Sequence, residues 1–259
     1  MLAAPRGGFL VLFFNFRDGM GRVDCLNCGT PLTGRHCTHC GQPAAVARLG
    51  RRDLVQPLAG LLDADRGWLH TAAELSRRPG AMIRAYLAGR RVAYTEPLKY
   101  TMIAVALALF ALWLAPAPAA PAQAQTEAAL QSQAREIIER YGNALLLMTV
   151  PFMAGASRLL FRREGLNLTE HIVLNAYVFA QQNLISLPFL TVGAWWPAVH
   201  GPTMSLYYGV IIAYYAWVLR GVVARTWWGA MLGALGITAV AYVLFWVVFT
   251  VVLLLVAKG

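Results

Sequence analysis

From Trp227 to Ala257 the chain carries no charged residue. As one helix this stretch would be about 46 Å long, more than the ~30 Å hydrocarbon core of a bilayer, so it reads as a single tilted or protruding span. It is too short to cross twice. Comparable apolar runs recur upstream: "LKYTMIAVALALFALWLA" after Pro97, then Asn143 to Phe161, Asn167 to about Trp196, and Ser205 to Leu219. Composition agrees, since 58% of residues are hydrophobic and 13% charged, outside the range of soluble domains. The expected fold class is an all-α membrane protein. It would have about five transmembrane helices, preceded by amphipathic cytosolic helices and a small N-terminal zinc-ribbon knuckle module.

Orientation follows from where the cations sit. Fourteen Lys and Arg precede the first span, from Arg6 to Lys99; Arg158, Arg162 and Arg163, and then Arg220 and Arg225, return to the same side. Only Arg135, Arg140 and Lys258 fall on the other. The positive-inside rule therefore puts the N-terminus in the cytosol and the C-terminus outside, as expected of a multi-pass protein of a bacterial inner membrane. The same distribution accounts for the net charge of +10 without nucleic acid as a partner.

All four cysteines lie in the 16-residue window Cys25–Cys40, as CxxC, eight residues, CxxC. A CxxC turn brings two thiolates to one metal. Gly29 and Gly41 after each pair let backbone amides turn toward the sulfurs, and Pro31 and Gly34 help close the link. Cys25, Cys28, Cys37 and Cys40 are thus expected to hold Zn2+ in a closed, structural shell, with a redox or disulfide function as the rival. His36 and His39 read as exposed polar residues. So small a module has no core of its own and folds only with metal.

The expected organisation is a possible extension or weak tail at 1–19, the zinc module at 20–43, basic amphipathic helices at 48–96, and the five-helix domain at 97–257. "GFLVLFFNF", Gly8 to Phe16, resembles a short signal-type segment but lacks a cleavage site, and Met20 is an alternative start. On a helix through Asp65 to Arg78, Trp68, Leu69, Ala72 and Leu75 share one face. Pro79 starts a second helix on which Met82, Ile83, Tyr86 and Leu87 align, with Gly89 as its stop. These helices either lie on the membrane or pack on the bundle. Arg77, Arg78, Arg84, Arg90 and Arg91 are candidates for anionic lipid head groups, each worth about 1 kcal/mol there. Ala115–Gln125 reads as a loop, and Thr126–Gly142 as a short polar-faced helix. Asn167 and Glu170 form a helix-start signal.

On the third span His171, Asn175, Gln182 and Ser186 form one polar stripe, which should face the bundle interior or a wet cavity. It serves either as glue between helices or as an entrance that recognises a ligand, with His171 the residue most able to change charge near neutral pH. Three functions compete. The first is a non-enzymatic protein that docks a cytosolic partner through the zinc module or organises the membrane. The second is a transporter or lipid-handling protein using the stripe. The third is a membrane enzyme, and it is the weakest, for no G-x-S-x-G, no H-E-x-x-H and no acidic residue inside a span beyond Glu170 at the start of the third is present.

Three stretches carry a resemblance: the knuckles "CLNC" and "CTHCGQ", then "RPGAMIRAYLAGRRVAYTEPLKY" from Arg78 to Tyr100, then "LNLTEHIVLNAYVF" from Leu166 to Phe179. Together they resemble the bacterial domain-of-unknown-function family 3667, over most of the chain from Asp24 onward. Asp24 stands where an aromatic residue often precedes the first cysteine. The resemblance implies a zinc-ribbon head on a polytopic membrane domain and supplies no reaction.

Overall fold

The computed structural model describes residues 24–51, 53, 67–114, 148–224 and 226–256, with side chains described as far as Val251. The tail at 1–19, the loop at Ala115–Gln125 and the helix expected at Thr126–Gly142 lie outside the described residues.

Among the described residues the chain is all-helical apart from the cysteine module. The helices are α1 (Gly67–Arg77), α2 (Pro79–Leu87), α3 (Pro97–Leu114), the described part of α4 (148–160), α5 (Leu168–Trp195), α6 (His200–Val222) and α7 (Trp227–Val256). The start of α5 follows the expectation: Asn167 Oδ1 accepts from Glu170 N, and Glu170 reaches back to Asn167 N, a full capping box. α6 begins at His200, five residues before the expected Ser205, and so includes Pro202 in its first turn. Proline is tolerated there because the first-turn amides of a helix have no intrahelical acceptor to lose.

Among the described residues, only α3 and the Trp227–Val251 part of α7 are long and apolar enough to cross a membrane by length and composition. α5 does not qualify because polar residues interrupt it, Asn175 and then Gln181, Gln182 and Asn183 in a row; Glu170, His171, Asn175 and Gln181 are buried in its packed face. The second expected span is described from residue 148 onward.

α3 packs along α5, α6 packs against both α5 and α7, and α2 lies across α6. The amphipathic helices are therefore part of the bundle. Leu75, Met82, Ile83, Tyr86 and Leu87 join one core with Tyr100, Leu174, Tyr177 and Tyr215. Leu69 departs from the expected face and is 61% exposed. Thr71 takes the inward position instead, where its hydroxyl accepts from Thr95 N at 2.9 Å. α2 and α6 cross at glycines: a Cβ on Gly80 would lie 2.6 Å from Gly221 Cα. Ala at either position has to push two backbones apart. We expect Gly80→Ala to cost about 1–3 kcal/mol, read as a lower unfolding midpoint in detergent, whereas Ala at the uncrowded Gly155 should leave it unchanged.

Candidate metal centre and its seat on the helices

Cys25 and Cys28, and again Cys37 and Cys40, are brought together by identical local turns. Gly29 N donates to Cys25 O at 2.8 Å and Cys25 N to Thr30 O at 2.9 Å; Gly41 N donates to Cys37 O at 2.9 Å and Cys37 N to Gln42 O at 2.8 Å. Gly29 and Gly41 take φ of 74° and 75°, the left-handed region that favours glycine. Isolated bridges pair Asp24 with Pro31 and His36 with Pro43. The module is thus one knuckle used twice. Its signal was in the sequence, as CxxCGxP recurring at Cys25–Pro31 and Cys37–Pro43.

All four Sγ atoms lie within 4.8 Å of one another, with Cys25–Cys40 and Cys28–Cys37 both at 3.5 Å. A tetrahedron with metal–sulfur bonds of about 2.3 Å has edges of about 3.8 Å, so these four residues could hold a metal ion. The Cys28 thiol is pulled down to about 5, chiefly by the hydroxyl of Thr30 at 3.3 Å and then by its backbone. That favours the thiolate, which is the ligand form. His36 and His39 are exposed and outside the cluster.

The module is seated on the helices by its own side chains. Asn27 Oδ1 accepts from Ala93 N at 3.0 Å, and the buried Gln42 Oε1 accepts from Arg91 N at 3.2 Å and Val92 N at 3.4 Å. Leu26 and Val46 close over Gly89, where a Cβ would meet Leu26 at 3.0 Å. The segment after the module then reaches α5. Arg48 makes a two-pronged pair with Glu170, Nε to Oε1 at 2.7 Å and Nη2 to Oε2 at 2.6 Å, and Nη2 also donates to Gly165 O at 2.7 Å. Asn167 Nδ2 donates to Leu49 O at 3.0 Å. Glu170 is 1% exposed, and among the described residues its carboxylate is held by Arg48 and by the cap amide.

The five arginines expected at lipid are divided. Arg91 is committed to Ala47 O at 2.6 Å and to Asp53 at 3.6 Å, and Arg90 lies 5.8 Å from the Tyr94 ring centroid. Arg78 pairs with Glu74 at 3.1 Å, while Arg77 and Arg84 stand exposed.

The polar stripe of α5 faces inward at its first half. His171 and Asn175 are fully enclosed, so His171 does not stand at an entrance. His171 Nδ1 is 2.7 Å from Ser157 Oγ on α4, Asn175 Nδ2 donates to His171 O, and Tyr215 OH donates to Asn175 Oδ1. Gln182 donates to Ile211 O on α6 at 3.2 Å, and Ser186 bonds within its own helix to Asn183 O. The more deeply buried glutamine is Gln181. It accepts from Tyr100 OH and donates to Ser76 Oγ at 2.9 Å, joining α1, α3 and α5. Tyr177 OH likewise donates to Thr95 O at 2.7 Å.

Among the described residues, fold and site together define a helical bundle with two membrane-length helices and a four-cysteine module, able to hold a metal, clamped to the bundle. Residues 65–109 match the family model described as "Protein of unknown function (DUF3667)", so the resemblance holds for the segment that contains α1, α2, the seat of the module and most of α3. No curated protein and no solved structure matches the chain.

Proposed function

We propose that this is a non-enzymatic protein of a bacterial inner membrane whose zinc-folded head is held at the cytosolic face as a docking platform for a cytosolic protein. The observation that carries the reading is the seat itself: the head is tied to α5 by Arg48 and Glu170, while its outer edge at Thr33, Arg35, His36, Thr38 and His39 is exposed. Zinc supplies the head with folding free energy and no reaction, because four thiolates leave it no open position.

Five spans, with N-terminus inside, remain the topology we favour. Two helices pass on length and composition, and only 33% and 22% of their apolar windows are buried, whereas a core helix of a soluble protein would be mostly covered. Exposed Trp113, Trp195 and Trp196 fall at one end of their helices, and Trp227 and Trp228 begin α7, a distribution that suits two interfacial aromatic belts. α5 and α6 would cross with their polar groups turned to the bundle.

A transporter or lipid-handling function has one observation in its favour, since His171 Nε2 is buried with no hydrogen-bond partner among the described residues. The rest of the stripe is spent on neighbouring helices and on α5 itself, so docking is the stronger reading. The test is a photo-crosslinker in place of His39 in living cells. We expect a discrete adduct with a cytosolic protein, lost when Cys28 and Cys40 become Ser. No adduct, or one that survives the cysteine changes, would contradict docking through a folded head.

A further inference from the structure

Three helix ends converge beside Phe161. A Cβ on Gly233 of α7 would lie 2.7 Å from Phe161 Cζ and 3.5 Å from Leu219 Cδ1 of α6, and one on Gly236 would lie 3.5 Å from Leu160. The residues next to these contacts are basic. Arg158, near the end of α4, and Arg162 and Arg163, in the 3-10 turn that follows it, are exposed; no ion pair engages them among the described residues. Arg220 follows Leu219; its Nη1 lies 3.5 Å from Ala224 O, and its Nε is enclosed with no hydrogen-bond partner among the described residues. Apolar side chains stand uncovered on two of the same helices: Leu159, next to Arg158, is 69% exposed, and Trp228, five residues before Gly233 on α7, is 81% exposed.

Unpaired cations beside uncovered Leu and Trp suit the headgroup level of a bilayer. Phosphate meets the guanidinium groups, and the glycerol and upper acyl region meets the apolar side chains. We propose that this surface docks the phosphate of an anionic lipid of the cytosolic leaflet, through Arg158, Arg162 and Arg163, with Leu159 and Trp228 against the lipid body. An acidic protein would satisfy the charges alone; Trp227 and Trp228 open the most apolar of the described helices, which favours lipid. The proposal rests on the membrane reading above and moves the main headgroup contact away from Arg78, Arg90 and Arg91, which are engaged within the protein.

The test uses the full-length protein in detergent, mixed with phosphatidylglycerol or phosphatidylcholine, with retained lipid counted by native mass spectrometry. Each arginine near an anionic surface is worth roughly a factor of five. Arg162→Gln should therefore weaken phosphatidylglycerol retention about fivefold at low salt, and Arg158→Gln/Arg162→Gln/Arg163→Gln about 100-fold, at unchanged unfolding midpoint. Retention by Arg77→Gln/Arg84→Gln should match wild type. Undiminished retention in the triple variant, an equal loss in Arg77→Gln/Arg84→Gln, or competition by millimolar inorganic phosphate would overturn the lipid site alone. A protein that needs no detergent and retains neither lipid would overturn the membrane reading, and the site with it.

Discussion

Arg48→Met is expected to lower the stability of the folded chain by about 3 kcal/mol. Removing one partner of a buried ion pair leaves the other charge uncompensated, at about 3–5 kcal/mol. Glu170 is the buried partner, 1% exposed at its side chain, whereas Arg48 is 31% exposed and partly screened by solvent, which places the loss at the lower end. Without Arg48 the carboxylate keeps one donor, the amide of Asn167 at 2.7 Å. Arg48→Met/Glu170→Gln removes the charge while leaving an oxygen for that amide, so the double variant should recover most of the loss. Unfolding midpoints of the four proteins in mild detergent close the cycle. A double variant as unstable as Arg48→Met would mean that packing of the 44–50 segment, and not charge, is at stake.

The larger effect is expected from Cys28→Ser/Cys40→Ser. Structural zinc contributes about 10–16 kcal/mol to the folding of finger-sized modules at neutral pH. The hydrogen bonds that seat the head through Asn27 and Gln42 are worth about 1 kcal/mol each and cannot replace it. The variant should therefore lose its metal and become cleavable by protease between Asp24 and Gly50, with α3 and α5–α7 intact. Loosening should spread to the loop beneath, because Arg91 N, Val92 N and Ala93 N lose their acceptors. Their amide exchange should accelerate while that of Leu174 and Tyr177 stays slow. Protection of Asp24–Gly50 equal to wild type would contradict a head folded by metal.

What could be read in the sequence was the local chemistry. Thiols three residues apart, a glycine after each pair, the Asn167–Glu170 cap and the inward face of α2 all depend on neighbours within a turn, and the structure has them as expected. What escaped was contact across the chain. Nothing near Arg48 announces that its partner is Glu170, and a basic stretch looks the same whether it meets lipid or, as at Arg91, the backbone of the module's own tail. Helical periodicity put Gln182 on the stripe, but adjacent glutamines differ by only 100°, and Tyr100 and Ser76 decide for Gln181. Leu69 was placed inward on hydrophobicity; the acceptor that Thr95 N needs put Thr71 there instead. The three stretches that carried the family resemblance were read separately. They meet at one place, with Asn27 and Gln42 on the loop at 91–93 and Arg48 and Leu49 on the cap of α5.

A head folded by metal is tested most directly by X-ray absorption at the zinc edge of the purified full-length protein, with elemental analysis of the same sample. The expected result is one zinc per chain with four sulfur neighbours at about 2.3 Å. A zinc-free protein with its module intact, or a first shell in which nitrogen or oxygen replaces sulfur, would contradict it.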